Sequence, residues 1–155
     1  MRELIEDELR FSASIILGGE EIVPRFRVQM PDGSALLVFV PLPEDAGERR
    51  WRLGMVSAFL AWKGAAGFVM STELKEPDGV VAVGVTREIV VGGLRLILRK
   101  PLMLGPVQWL ERAAIGDDIP SLLPPREALL SDDMMRDLVR VFGPQGEFRV
   151  EKAVQ

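Results

Sequence analysis

Residues 66–100, AGFVMSTELKEPDGVVAVGVTREIVVGGLRLILRK, constrain the fold more than any other part of this chain. Apolar side chains alternate with polar or small ones through most of the run, which is the period of a half-buried strand. Two turn signals interrupt it. In Glu76-Pro77-Asp78-Gly79, proline presets φ and glycine takes the left-handed position that follows. Gly92-Gly93 is a pair suited to a two-residue hairpin. The stretch therefore reads as three antiparallel strands in a meander. Register follows from the alternation, because a slip of one residue turns every side chain to the other face. With Leu74 opposite Val81 and Val91 opposite Leu94, one face collects Phe68, Met70, Val83, Val85, Leu94 and Leu96. Such a face must be covered by helices, so the fold is expected to be α+β. Arg87 is its one charged intruder and is expected at the sheet's end, its head in water.

The opposite face carries Ser71, Glu73, Thr86, Glu88, Arg95 and Arg99, with Ala82 and Gly84 between them. Small residues among charged ones leave a shallow place on the sheet, so these six are the candidate binding residues. In this register Thr86 lies opposite Arg99, and Glu88 lies diagonal to both arginines. Guanidinium groups make bidentate contacts with anions, so the face suits a small anionic ligand, an acidic peptide or a nucleic-acid backbone. The ordinary alternative is a solvated face laced with cross-strand ion pairs. Glu73 is the residue that this alternative explains least.

Elements on either side complete the expected order α-β-β-α-β-β-β-α-α. Residues 2–17 form a helix with Leu4, Ile5, Leu9 and Ile16 on one stripe, ended by Gly18-Gly19. Residues 22–30 alternate as a strand, sending Phe26 and Val28 one way and Arg25 and Arg27 the other. Pro31-Asp32-Gly33-Ser34 turns into a second strand, 35–40, apolar on both sides. Residues 44–63 form a helix whose later half is apolar nearly all round and so is buried on the meander. Its Trp51 and Trp62 are expected in the core. Beyond Lys100 the chain is expected to be a helical extension of one domain spanning 1–155. It would hold a connector (101–106), a short helix (107–114), a proline-rich loop (116–125) and a helix within 126–142, formed at least from Ser131 as N-cap. Phe148, Val150 and Val154 would form a short strand or a tail.

Composition decides which chemistry is open. The chain has 155 residues, 48% of them hydrophobic, with no Cys, no His and no Tyr. Disulfides, thiolate metal sites and cysteine nucleophiles are therefore excluded, as is a Ser-His-Asp triad. Carboxylate, lysine or serine catalysis remains. No G-x-G-x-x-G or Walker A pattern occurs, so no cofactor is expected. Asp117/Asp118 and Asp132/Asp133 are read as a solvated loop and a helix start rather than a metal site. A net charge of −4 argues against nucleic acid as a general partner. The N-terminus lacks signal-peptide organisation, and the most apolar run, 53–70, is too short and too punctuated to cross a membrane. A cytoplasmic protein is expected, without a membrane partner.

The element order, together with GFVMSTELKEPDGVVAVGVTRE, resembles a loose group of small uncharacterised α+β proteins of bacterial and phage genomes. In that group an aromatic-rich strand ends in a Ser-Glu-Ala-Trp-like segment. Here Met70-Ser71-Thr72-Glu73-Leu74 stands in its place, without the tryptophan. This resemblance implies no activity. Size, acidity and helix–strand order are also similar to type III secretion chaperones, which would imply a dimer holding a partially unfolded protein. Two functions remain. One is a non-catalytic module that binds a protein partner or a second copy through residues 102–110 or the polar sheet face. The other is a carboxylate enzyme with Glu73 as base and Arg99 anchoring an anionic substrate.

Overall fold

A computed structural model describes residues 1–153 and shows an α+β fold built on one antiparallel sheet. Helix α1 (Arg2–Leu17) leads into strands β1 (Arg25–Gln29) and β2 (Ala35–Phe39), then helix α2 (Ala46–Lys63). The meander follows as β3 (Gly67–Lys75), β4 (Asp78–Thr86) and β5 (Val90–Arg99). Next come β6 (Leu102–Leu104), β7 (Gln108–Leu110), the one-turn helix α3 (Arg112–Ile115) and a 3₁₀ turn at Pro120–Leu122. Helix α4 (Asp132–Val141) and strand β8 (Arg149–Lys152) complete it. Across the sheet the order is β6-β5-β4-β3-β1-β2-β8, with β7 also paired to β5.

Local chemistry accounts for the helix ends. Asp45 caps α2, its side chain accepting from Glu48 N at 2.8 Å, and Gly64 closes it with φ +63 in the left-handed region. Ser131 caps α4 by accepting from Met134 N at 3.1 Å. Each such cap contributes about 1 kcal/mol.

The sheet is covered on both faces by different helices. Phe26, Val28, Phe68, Met70, Val83 and Val85 pack against α2, α4 and Leu122. On the other face Val69, Val80, Ala82 and Ile97 pack against Ile5, Leu9, Ala13 and Ile16 of α1. Alternation thus sorted the side chains of β1, β3 and β4 as expected, and α2 lies on the expected face.

The meander differs from expectation at its second turn. Gly92-Gly93 is not a hairpin but lies inside β5, opposite Val83 and Ala82, and the chain reverses at Arg87-Glu88 instead. Glycine is needed there for close approach on both faces. A Cβ on Gly92 would meet Ile115 at 3.0 Å, and one on Gly93 would meet Trp109 at 3.3 Å and Ile5 at 3.4 Å. The move turns Val91 to the α1 face, against Gly84. At the first turn the register is two residues from expectation, with Thr72 opposite Val81 and Leu74 opposite Gly79. The Glu76–Pro77 peptide is cis, and Gly79 is a strand residue without positive φ.

Beyond Lys100 the chain is less helical than expected. Residues 107–114 give β7 and then only one helical turn, because this segment completes the sheet edge along β5. The last strand, β8, pairs with β2 and brings Val150 and Phe148 to the α2 side. Val154 lies outside the described residues. Arg87 is exposed at the sheet's end, as expected, donating to the carbonyls of Ala65 and Pro124 at 3.4 and 3.3 Å.

Candidate functional site

Helix α1 lies across the face that carries the six candidate residues, and it separates them. Ser71 is wholly buried beneath it. The Ser71 hydroxyl donates to Glu8 Oε2 at 3.3 Å. The same oxygen accepts Arg25 Nε at 3.1 Å and Nη2 at 2.5 Å. Both charged side chains are buried, 8% and 4% exposed, and the Phe11 ring lies 3.8 Å from the Arg25 guanidinium. A buried pair of this kind stands only because each charge satisfies the other. The shallow place expected at Ala82 and Gly84 is the seat of α1, with Gly84 against the Met1 side chain. It is filled by the chain itself.

Glu73, Arg95 and Arg99 stay together at the end of the sheet near the β3–β4 turn, since Glu73, Val80 and Arg95 share one row. Arg99 donates to Asp78 Oδ2 at 2.7 Å. The hydrogen bond to Asp78, its charge and then that of Glu73 hold the Arg99 guanidinium above its ordinary pKa. Arg95 Nε donates to the carbonyl of Gly105 at 2.8 Å, fixing the β6–β7 crossing. An anion arriving at this cluster would compete with partners already in place.

Thr86 and Glu88 stand at the other end of the sheet, because the true turn is Arg87-Glu88. Thr86 pairs with Gly67, six residues along β3 from Glu73, a separation of about 20 Å. The Thr86 hydroxyl accepts from the backbone N–H groups of Glu88 and Ile89, so it shapes the turn. The placement of Thr86 opposite Arg99 is thereby corrected. Thr86 also lines a cleft of about 360 Å³ with Arg87, Pro120, Pro124 and Arg126.

Two features lay beyond sequence reasoning. Arg27 lies on the α1 face between Val69 and Leu37, where alternation put it, but its Nε is buried there with no hydrogen-bond partner, which alternation does not show. The other is the far half of the meander on the α2 side. Leu74, Val81, Leu94, Leu96, Leu98 and Met103 share that face by register. None of them belongs to either apolar cluster. Leu98 is 47% and Met103 50% exposed. Element length was the signal. A strand of nine or ten residues spans about 30 Å, whereas the apolar second half of α2 spans about 12 Å. One helix of that length cannot cover the face.

Comparison with protein-family models, with curated proteins and with solved structures gives no match. Among the described residues no group of three or more His, Cys, Asp or Glu side chains is placed to hold a metal ion. Among the same residues no helix is long and apolar enough to cross a membrane. Asp117 pairs with Arg112 at 2.9 Å, and Asp132 and Asp133 occupy the first turn of α4, where the helix dipole favours them.

Proposed function

We propose that the protein is a non-catalytic binding module that holds a protein partner on the uncovered apolar half of its meander. One observation carries this reading. Six apolar side chains, from Leu74 to Met103, stand on a continuous sheet face and join neither core cluster. Contiguous apolar surface of this kind marks an interaction site more often than scattered exposed leucines do. The floor is built from strands already paired to one another, β3 to β4, β4 to β5 and β5 to β6, so it is ordered before any partner arrives, which lowers the ordering cost of binding.

The carboxylate-enzyme reading has less support. Arg99, its anion anchor, already donates to Asp78, and a cleft of about 530 Å³ is lined by Glu48, Trp51, Arg140 and Glu147, away from Glu73. Arg140 there already pairs with Asp137 at 3.3 Å.

Cross-linking tests the proposal directly, since the chain contains no cysteine. Met103→Cys carrying a photoactivated cross-linker should give one discrete protein adduct. Val139→Cys, on the exposed side of α4, should not. The adduct should disappear when Leu96→Asn is added. Equal labelling from both positions, or none, would overturn the reading.

A further inference from the structure

The uncovered stretch is bounded in a way that selects its occupant. Three rows of side chains about 6.8 Å apart, across four strands about 4.8 Å apart, give a footprint of roughly 400 Å². A folded second copy forming a stable interface needs about 800 Å² on each side. A helix is about 10 Å across and about 18 Å long at twelve residues, so one fits within the footprint along its length. Backbone donors and acceptors point within the plane of the sheet, so an extended peptide laid on this face would find no backbone partner; the open edges, β6 and residues 72–75 of β3, lie at its borders. The other side of the sheet shows the same packing solved within the chain, where α1 lays Ile5, Leu9, Ala13 and Ile16 across β3, β4 and β5.

Charge narrows the occupant further. The turns at the end of the stretch carry Lys75, Glu76 and Lys100, all exposed. On α2, Trp51 and Arg52 reach Phe148 and Glu147 on the β8 side. Ser57 donates to the Leu122 carbonyl on the opposite side. Arg50 is seven residues from Ser57 and shares its stripe, so it stands on the flank nearer the uncovered strands. Arg50, Lys75, Glu76 and Lys100 have no ion-pair partner among the described residues. Three unpaired cations against one carboxylate give this rim a positive balance in a chain whose net charge is −4.

We infer that Leu74, Val81, Leu94, Leu96, Leu98 and Met103 form a docking floor for an amphipathic helix of a partner protein with acidic residues beside its apolar stripe. The inference rests on the binding-module reading and names the class of partner. The partner helix lays leucine-like residues at i, i+3, i+4 and i+7 on the floor. Its carboxylates meet Arg50 on one flank and the two lysines at the end. The helix then completes the layer that α2 begins.

Fluorescence anisotropy tests this on the full chain, with two labelled fourteen-residue helical peptides. Both carry leucine at the stated spacing; one has Glu at its flanking positions and the other Lys. The Glu peptide should bind at least about tenfold more tightly in low salt, and the preference should shrink at high salt as the charges are screened. Leu96→Asn should abolish binding. Lys100→Glu, a surface change that leaves the fold intact, should reduce the preference. Equal binding of the two peptides, or binding of neither, overturns the inference. So does a concentration-dependent dimer in light scattering that Leu96→Asn converts to monomer, since the occupant is then a second copy. An adduct from Met103→Cys with no peptide binding removes the helix and keeps the module; the absence of both removes both.

Discussion

The two faces of the meander differ in what the chain places over them. On one, α1 covers β3, β4 and β5, and the polar residues beneath it are neutralised within the chain. Glu8 arrives on α1 to meet Arg25 and Ser71, and small residues at 82, 84 and 93 let the helix settle close to the sheet. On the other, α2 and the 3₁₀ turn cover the near half and leave the far half open, without one buried charge to satisfy. The polar face looked like the site and is largely internal. The apolar face looked like core and is partly surface. Polarity in a strand does not say which face is wet; the elements laid over it do.

Breaking the covered face should have the largest effect. Glu8→Ala leaves the Arg25 guanidinium buried without a partner, and such removals cost about 3–5 kcal/mol. The urea midpoint should fall accordingly. Replacing both groups by methionine should recover most of the loss, because a well-packed apolar pair avoids the desolvation cost. A loss under about 1 kcal/mol in Glu8→Ala would mean that the pair does not hold α1 in place.

A matched leucine pair sharpens the contrast. Leu9, on α1, is wholly buried against the sheet, and Leu98 is 47% exposed on the open stretch. Leu9→Ala should cost about 2–5 kcal/mol, from lost burial together with the cavity left behind. Leu98→Ala should cost under about 1 kcal/mol, since much of its surface is already in water. If urea denaturation gives the two variants equal losses, the far half of the meander is covered in solution and the proposed docking floor does not exist.

Much of this was legible in the sequence, for definite reasons. Period-two alternation sorted Phe68, Met70, Val83 and Val85 from Ser71 and Glu73, because side-chain direction in a strand is local. A cap placed the start of α4, because Ser131 acts on a residue three positions away. Glycine misled because its two uses share one letter. Gly92-Gly93 reads as a turn, but here it makes room for Trp109, Ile115 and Ile5. Residues 107–114 misled because a three-residue strand takes its structure from β5 rather than from its own period. The Glu8–Arg25–Ser71 cluster joins positions 17 and 63 apart in sequence, and no spacing rule connects them. The six candidate residues were put in one constellation by the misplaced hairpin. The structure leaves Glu73, Arg95 and Arg99 as a group, with Arg99 already occupied by Asp78.

The smallest predicted effect lies outside both faces and serves as their control. In the turn between β1 and β2, Asp32 accepts from Ser34 Oγ at 2.5 Å and Ser34 N at 2.9 Å. These bonds, the hydroxyl's first, hold the Asp32 carboxyl below its ordinary value of 3.8. A carboxyl whose folded pKa is depressed stabilises the fold above its unfolded value, and that contribution is lost as the pH falls through the folded one. Ser34→Ala should therefore bring the Asp32 carboxyl resonance to titrate nearer to the ordinary value. It should also lower the urea midpoint slightly at neutral pH, with the gap closing in acid. Peptide binding on the far meander should be unchanged, because the Asp32–Ser34 bonds lie within the turn itself. An Asp32 titration identical in the variant and the parent would show that the hydroxyl does not hold the carboxylate. A change in peptide affinity would show that the first hairpin and the open stretch are coupled, and the two faces could then not be treated as independent.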